Sequence, residues 1–177
     1  MQFDADKRLS DIQHDHVRDI LRSGNILMGM VSDILDFTRI EEGDITVELE
    51  PIPLAELIEE SMTSIATLAD EHQIHVRNEA HDISMFVHAD YARLAQALNN
   101  LLSNAVKYSP KDSDVSIRVS TPGSQIIRVS VVDHGPGISP EHQAYLFEPF
   151  TRLDAELKDI EGTGIGLTIT KRIVELM

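Results

Sequence analysis

The chain contains no cysteine, so disulfides, thiolate metal sites and cysteine nucleophiles are all excluded. It has only half as many basic as acidic residues, fifteen against thirty, and a formal charge of -15. That balance repels nucleic-acid phosphates and anionic membrane surfaces, which argues against nucleic acid as a partner while leaving room for a small anion in a local site. No apolar run reaches the length of a membrane span, and the N-terminus lacks a signal-peptide core, so no direct membrane contact is expected of this segment. Internal repeats and low-complexity tracts are also missing. What remains is 177 residues, 42% of them hydrophobic, enough to bury one sizeable core with a helical appendage.

The pattern is helical from about Phe3 to Glu42. Ile20, Leu27 and Ile34 repeat every seven residues, as do Val17, Gly24 and Val31, with Leu21, Met28 and Leu35 beside them. Gly43 is a natural stop. One amphipathic helix cannot bury its own stripe, so it packs on the following domain, on a second copy of the chain, or as an ordinary core helix. His14 and His16 stand two apart, on different faces, and read as solvated side chains rather than a metal pair.

Ile45–Leu49 alternates as a strand would, with Pro51 and Pro53 breaking it. A helix is expected over Leu54–Asp70, burying Leu54, Leu57, Ile58, Ile65 and Leu68. Short strand patterns follow near Ile74–Arg77 and Ser84–His88. Asp90 is a good N-cap for a helix on which Leu94, Leu98, Leu101, Leu102 and Ala105 form a core stripe. Asn100, Asn104 and Lys107 fall on a second stripe, placing two amides and an ammonium side by side. Amide oxygens suit a hard cation such as Mg²⁺, and an ammonium suits a phosphate.

Beyond this helix, the alternation of Val115, Ile117 and Val119, a Thr121-Pro122-Gly123-Ser124 turn and a return over Ile126–Val132 predict a hairpin. Its second strand runs into Asp133-His134-Gly135-Pro136-Gly137. A carboxylate at a strand end can accept from an exocyclic amine such as that of adenine, while glycines let the backbone approach a flat ring. Ser139-Pro140-Glu141 should open a short helix. Leu153–Glu161 is polar and irregular, the pattern of a mobile loop. Gly162-Thr163-Gly164-Ile165-Gly166-Leu167 then opens a last helix, in the form of a phosphate cradle. It has neither the Walker ending nor a strand directly before it.

In order and spacing, Asn100-Leu101-Leu102-Ser103-Asn104, Asp133-His134-Gly135-Pro136-Gly137, Phe147-Glu148-Pro149-Phe150 and Gly162-Thr163-Gly164-Ile165-Gly166-Leu167 resemble the N, G1, F and G2 boxes of sensor histidine kinases. Ser32-Asp33-Ile34-Leu35-Asp36-Phe37-Thr38-Arg39-Ile40-Glu41-Glu42-Gly43 is similar to the end of the second helix of that family's dimerisation domain. The resemblance implies an α/β fold: a two-layer sandwich whose mixed sheet is covered by helices on one face, preceded by a long N-terminal helix. Residues 1–43 would be a partial dimerisation domain lacking its first helix. Residues 44–177 would be an ATP-binding catalytic domain, cut before its closing strand.

The resemblance also assigns roles. Asn104, with Asn100 beside it, would hold Mg²⁺; Lys107 would reach a phosphate, and Tyr108 would border the nucleotide. Asp133 would hold the adenine amine, with Gly135 and Gly137 giving the base room. Phe147 and Phe150 would anchor a lid from about Ile138 to Glu161, with Arg152 as a lid contact. Gly162, Gly164 and Gly166 would hinge that lid and admit the phosphates, with Thr163, Ile165 and Leu167 completing the nucleotide-binding set. In the related ATPases a glutamate four residues before the magnesium asparagine activates water. Here that position is Asn100, which cannot take a proton, so hydrolysis is disfavoured.

No His-Glu-Leu-Arg-Thr-Pro-like acceptor motif occurs; His14-Asp15-His16-Val17-Arg18-Asp19 matches only in its first two residues. The implied reaction is transfer of the ATP γ-phosphoryl group to a histidine outside this chain and onward to an aspartate of a response-regulator receiver domain, in a cytoplasmic homodimer. The alternatives are an ATP-gated binding module without catalysis, or, less favoured, an ATP hydrolase.

Overall fold

In a computed structural model of the chain, residues 10–80, 84–123, 126–151 and 162–177 are described. The first element, α1 (Asp11–Glu42), begins where Ser10 caps it: the Ser10 hydroxyl accepts from the Gln13 N–H, and the Gln13 side chain returns the bond. It ends at Gly43, whose φ of 73° is the left-handed turn that glycine adopts without strain. The predicted Phe3 start lies outside the described residues.

The strand expected at Ile45–Leu49 forms instead at Glu50–Pro53 (β1), pairing antiparallel with β3 (Phe86–Ala89). The reading of the prolines as breakers is thereby corrected. Pro51 and Pro53 are two residues apart, so their missing N–H groups fall on the same side, away from the ladder. Pro53 then leads straight into α2 (Leu54–His72). It offers no side-chain cap, but the Leu54 N–H is taken by the Met85 carbonyl at 3.0 Å. Helix α2 buries Leu54, Leu57, Ile58 and Ile65 as expected, with Ser61 and Ala69, while Leu68 is only half-buried.

A second sheet has the order β2-β4-β5, from β2 (His75–Asn78), β4 (Asp114–Gly123) and β5 (Ile126–Val132). β2 runs parallel to β4, in register His75 to Asp114, and β5 returns antiparallel, so this sheet is mixed. β4 lies in the middle, and Val115, Ser116 and Ile117 are all buried. Helices α2 and α3 (Tyr91–Tyr108) pack on each other and on this sheet. Ile58, Leu102, Val106, Val115 and Ile117 are wholly enclosed, each such side chain contributing about 1.5–3 kcal/mol. The expected α/β arrangement, with a mixed sheet, packed helices and a long leading helix, is the one observed.

The short helix α4 (Pro140–Gln143) starts at Ser139, whose hydroxyl accepts from the His142 N–H at 3.3 Å. The last, α5 (Gly166–Leu176), packs on α3 and α1. Ile165, Ile169 and Ile173 form a second core cluster with Ala97, and Phe37 and Ile40 of α1 rest against it. The predicted loop at Leu153–Glu161 lies outside the described residues. His14 and His16 are exposed, and no group of three or more acidic or histidine side chains poised for a metal occurs among the described residues.

Candidate active site

Helix α3 supplies one wall of a cavity of about 560 Å³. Asp90 caps the helix, its Oδ1 accepting from the Arg93 N–H at 3.1 Å. Ala97, Leu98, Leu102, Ala105 and Val106 fix the buried face. Asn100, Asn104, Lys107 and Tyr108 are thereby turned to the cavity, together with Ser103. Leu101, expected in the core stripe, also lines the cavity and is only half-buried. It lies one residue off the fully enclosed Leu102, a rotation of about 100° around the helix.

The second wall is the loop that leaves β5. Asp133 Oδ1 accepts from the Gly135 N–H at 2.7 Å, which folds the loop back on itself. A side chain at Gly135 would stand 2.9 Å from that oxygen and 2.9 Å from the Tyr108 carbonyl, so the loop closes against the end of α3 only with glycine there. Gly137 takes φ of 73°. Asp133, Gly135, Gly137 and Ile138 all border the cavity, and Val131 and Pro136 join them. His134 turns away, with Nδ1 2.9 Å from the Asp114 carbonyl.

The glycine loop before α5 forms the third wall through Gly162, Thr163, Gly164, Gly166 and Leu167. Gly166 is pressed on the Asn100 amide oxygen, where any side chain would collide. Asn100 is held there because its Nδ2 donates to the Thr170 hydroxyl at 2.7 Å. Ile165 does not line the cavity; it is buried in the second core cluster.

Phe147 and Phe150 stand outside the cavity lining. The Phe147 carbonyl accepts from the Thr168 hydroxyl at 2.9 Å, and Lys171 Nζ sits 5.1 Å from the centre of its ring. Phe150 meets Phe37 edge to face at 6.3 Å. Arg152 lies outside the described residues.

Sequence reasoning missed a fourth wall. Ile26, Gly29, Met30 and Asp33 of α1 line the same cavity. The available signal was their spacing, since Ile26, Met30, Asp33, Phe37 and Ile40 share one helical stripe, but its counterpart is more than a hundred residues away. Thr170 was missed as well, because nothing local ties a threonine in α5 to an asparagine in α3.

Amide oxygens, an ammonium, a carboxylate at a strand end and a glycine-rich loop at a helix start thus face one space. Such a set accommodates a flat polar ring with an anionic tail.

Comparison with known proteins agrees. Residues 89–177 match the family described as histidine kinase-, DNA gyrase B-, and HSP90-like ATPase. The chain is 35% identical over 171 residues to the circadian input-output histidine kinase CikA of Synechococcus elongatus, covering 95% of this chain and 22% of that protein. It is 33% identical over 174 residues to the signal transduction histidine-protein kinase BarA of Escherichia coli, covering 96% of this chain and 19% of that one. The crystal structure of full-length ShkA in complex with AMPPNP superposes with a TM-score of 0.78 at 29% identity, over 97% of this chain and 35% of that one. The chain spans about a fifth of the length of these curated relatives. It belongs to the histidine kinase-, DNA gyrase B-, and HSP90-like ATPase family, and within it is similar to sensor histidine kinases.

Proposed function

We propose that the cavity binds MgATP and presents its γ-phosphoryl group to a histidine outside these residues, for relay to an aspartate of a response-regulator receiver domain. The observation that carries this reading is the convergence of α3, the Asp133–Gly137 loop and the Gly162–Gly166 loop on one space. Asp133 is the acceptor for the adenine amine, and Gly135 and Gly137 let the ring approach the backbone. Lys107 attracts a phosphate, Tyr108 borders the nucleotide, and the Gly162–Leu167 loop receives the phosphates. Phe147 and Phe150 belong to the lid rather than to the pocket lining, and Arg152 is a lid contact by resemblance.

The donor set fits Mg²⁺ of the kind that is shared with a nucleotide. Asn104 offers an amide oxygen to the cavity, whereas the described residues hold no acidic or histidine cluster that could cage the ion alone. Asn104, with Asn100 beside it, would hold the ion, which when bound neutralises phosphate charge. The Asn100 amide is also committed to Thr170, so it fixes the α3–α5 junction whatever else it contacts.

Residues 1–43 act as part of a dimerisation domain and 44–177 as the catalytic domain, in a cytoplasmic homodimer formed through α1. In support, no helix among the described residues is long and apolar enough to cross a membrane, and α1 leaves Ile20, Leu27 and Met28 exposed.

Calorimetric titration with Mg²⁺ and a non-hydrolysable ATP analogue tests the site. Asp133→Asn and Asn104→Ala are each expected to weaken binding about tenfold or more, the loss of a contact to a charged group. Equal affinity in the wild type and both variants contradicts the proposal.

A further inference from the structure

Thr163 is the middle member of a hydrogen-bond relay. Its hydroxyl oxygen accepts from the Ile165 backbone N–H at 3.2 Å, and its hydrogen goes to Asp33 Oδ2 at 2.8 Å. Asp33 lies on α1, 130 residues away in sequence, and lines the same cavity as Asn104, Lys107 and Gly164. A carboxylate already stands at the loop that is built to receive an anion.

Neighbouring contacts hold it there. Asp36 accepts from Gln96 Nε2 at 2.7 Å and from Arg93 at 3.5 Å. Phe37 meets Phe150, and Ile40 rests on the α5 cluster. Asp33, Asp36, Phe37 and Ile40 are all half-buried, at the spacing of one inward stripe, so α1 is docked along two turns and not by one side chain.

A hydroxyl has a single hydrogen, and what Asp33 takes from Thr163 cannot be given to a phosphate. Two anions in one partly enclosed space also repel more strongly than they would in open water. We propose that Asp33 is a resident anion of the nucleotide site, so that docking of α1 and binding of the phosphate tail oppose each other. This rests on the nucleotide reading given above. Because coupling between two equilibria is reciprocal, a docked α1 weakens phosphate binding and a bound phosphate tail loosens α1.

The test titrates the full chain, Asp33→Ala and Asp33→Asn with adenosine, ADP and a non-hydrolysable ATP analogue, each with Mg²⁺. Asp33→Ala is expected to bind the analogue about three- to tenfold more tightly, the effect of one competing hydrogen bond. It should gain less for ADP and nothing for adenosine. Asp33→Asn keeps an acceptor for Thr163 without the charge and should fall between. A general loosening of the fold would not grow with the number of phosphates. Analogue binding that is unchanged or weaker in Asp33→Ala, or a gain equal for adenosine, overturns the inference while leaving wild-type nucleotide binding intact. A wild type that binds none of the three overturns the nucleotide reading and this one with it. Should Asp33→Ala not fold, amide exchange of the wild type decides. Added analogue is expected to speed exchange in the stretch of α1 around Asp33, and unchanged or slower exchange refutes the coupling.

Discussion

Asp90 ties together two segments that are distant in sequence. One carboxylate oxygen caps α3 through the Arg93 N–H, and the other accepts from the Glu48 N–H at 3.1 Å, fixing the chain just before β1. The Glu48 N–H first, and the Arg93 N–H after it, hold this carboxyl below its ordinary range. A depressed folded-state value means that the stabilisation is fully present above the unfolded value, near 3.8, and is lost as pH falls through the folded one. Asp90→Ala is therefore expected to cost about 1 kcal/mol at neutral pH, the usual size of an N-cap, with the gap to wild type closing in acid, below the ordinary carboxylate range. Asp90→Asn keeps an acceptor for the cap and should remove most of this pH dependence. Urea unfolding of the three proteins at both pH values measures it, and a gap that stays constant with pH would show that the carboxylate charge plays no part.

Helix α1 carries two stripes with different fates, and only one of them was legible in the sequence as an interface. The heptad positions Ile20, Leu27 and Ile34, with Leu21, Met28 and Leu35 alongside, remain exposed, Ile20 at 70% and Met28 at 69%. The stripe that docks is Ile26, Met30, Asp33, Phe37 and Ile40, less apolar and interrupted by a carboxylate. Its partners are Thr163, Phe150 and α5, which no local pattern connects to α1. Signals confined to a turn were readable: Gly43, Asp90 and Ser139 cap the helices as their residue types require. The two proline positions misled because a proline breaks a ladder only on the side where its N–H is needed.

In the proposed homodimer the exposed seam is the expected contact face, since an apolar stripe of that length rarely stays in water. Ile20→Glu with Leu27→Glu is expected to abolish concentration-dependent self-association while shifting folding stability by less than about 0.5 kcal/mol, as surface changes do. Sedimentation equilibrium beside a thermal melt reads both, and association that survives the double change places the dimer contact elsewhere.

At the scale of the whole molecule, two properties steer the chemistry. A charge of -15 disfavours polyanionic partners, so selectivity for the small anionic ligand rests on the local cavity rather than on the global field. Within that cavity, the position from which a carboxylate could activate water is Asn100, whose amide is bound to Thr170 and has no basicity to offer. With no base at that position, the proposed phosphoryl transfer awaits an acceptor that brings its own nucleophile. Incubated with γ-labelled ATP and Mg²⁺ alone, the chain is expected to release phosphate only slowly. Addition of a separate protein that presents a histidine on an acceptor helix should produce acid-labile label on that protein, and Asn104→Ala should abolish the transfer. Rapid phosphate release without an acceptor, undiminished in Asn100→Ala, would show that water is activated by some other group and that the chain hydrolyses ATP in its own right.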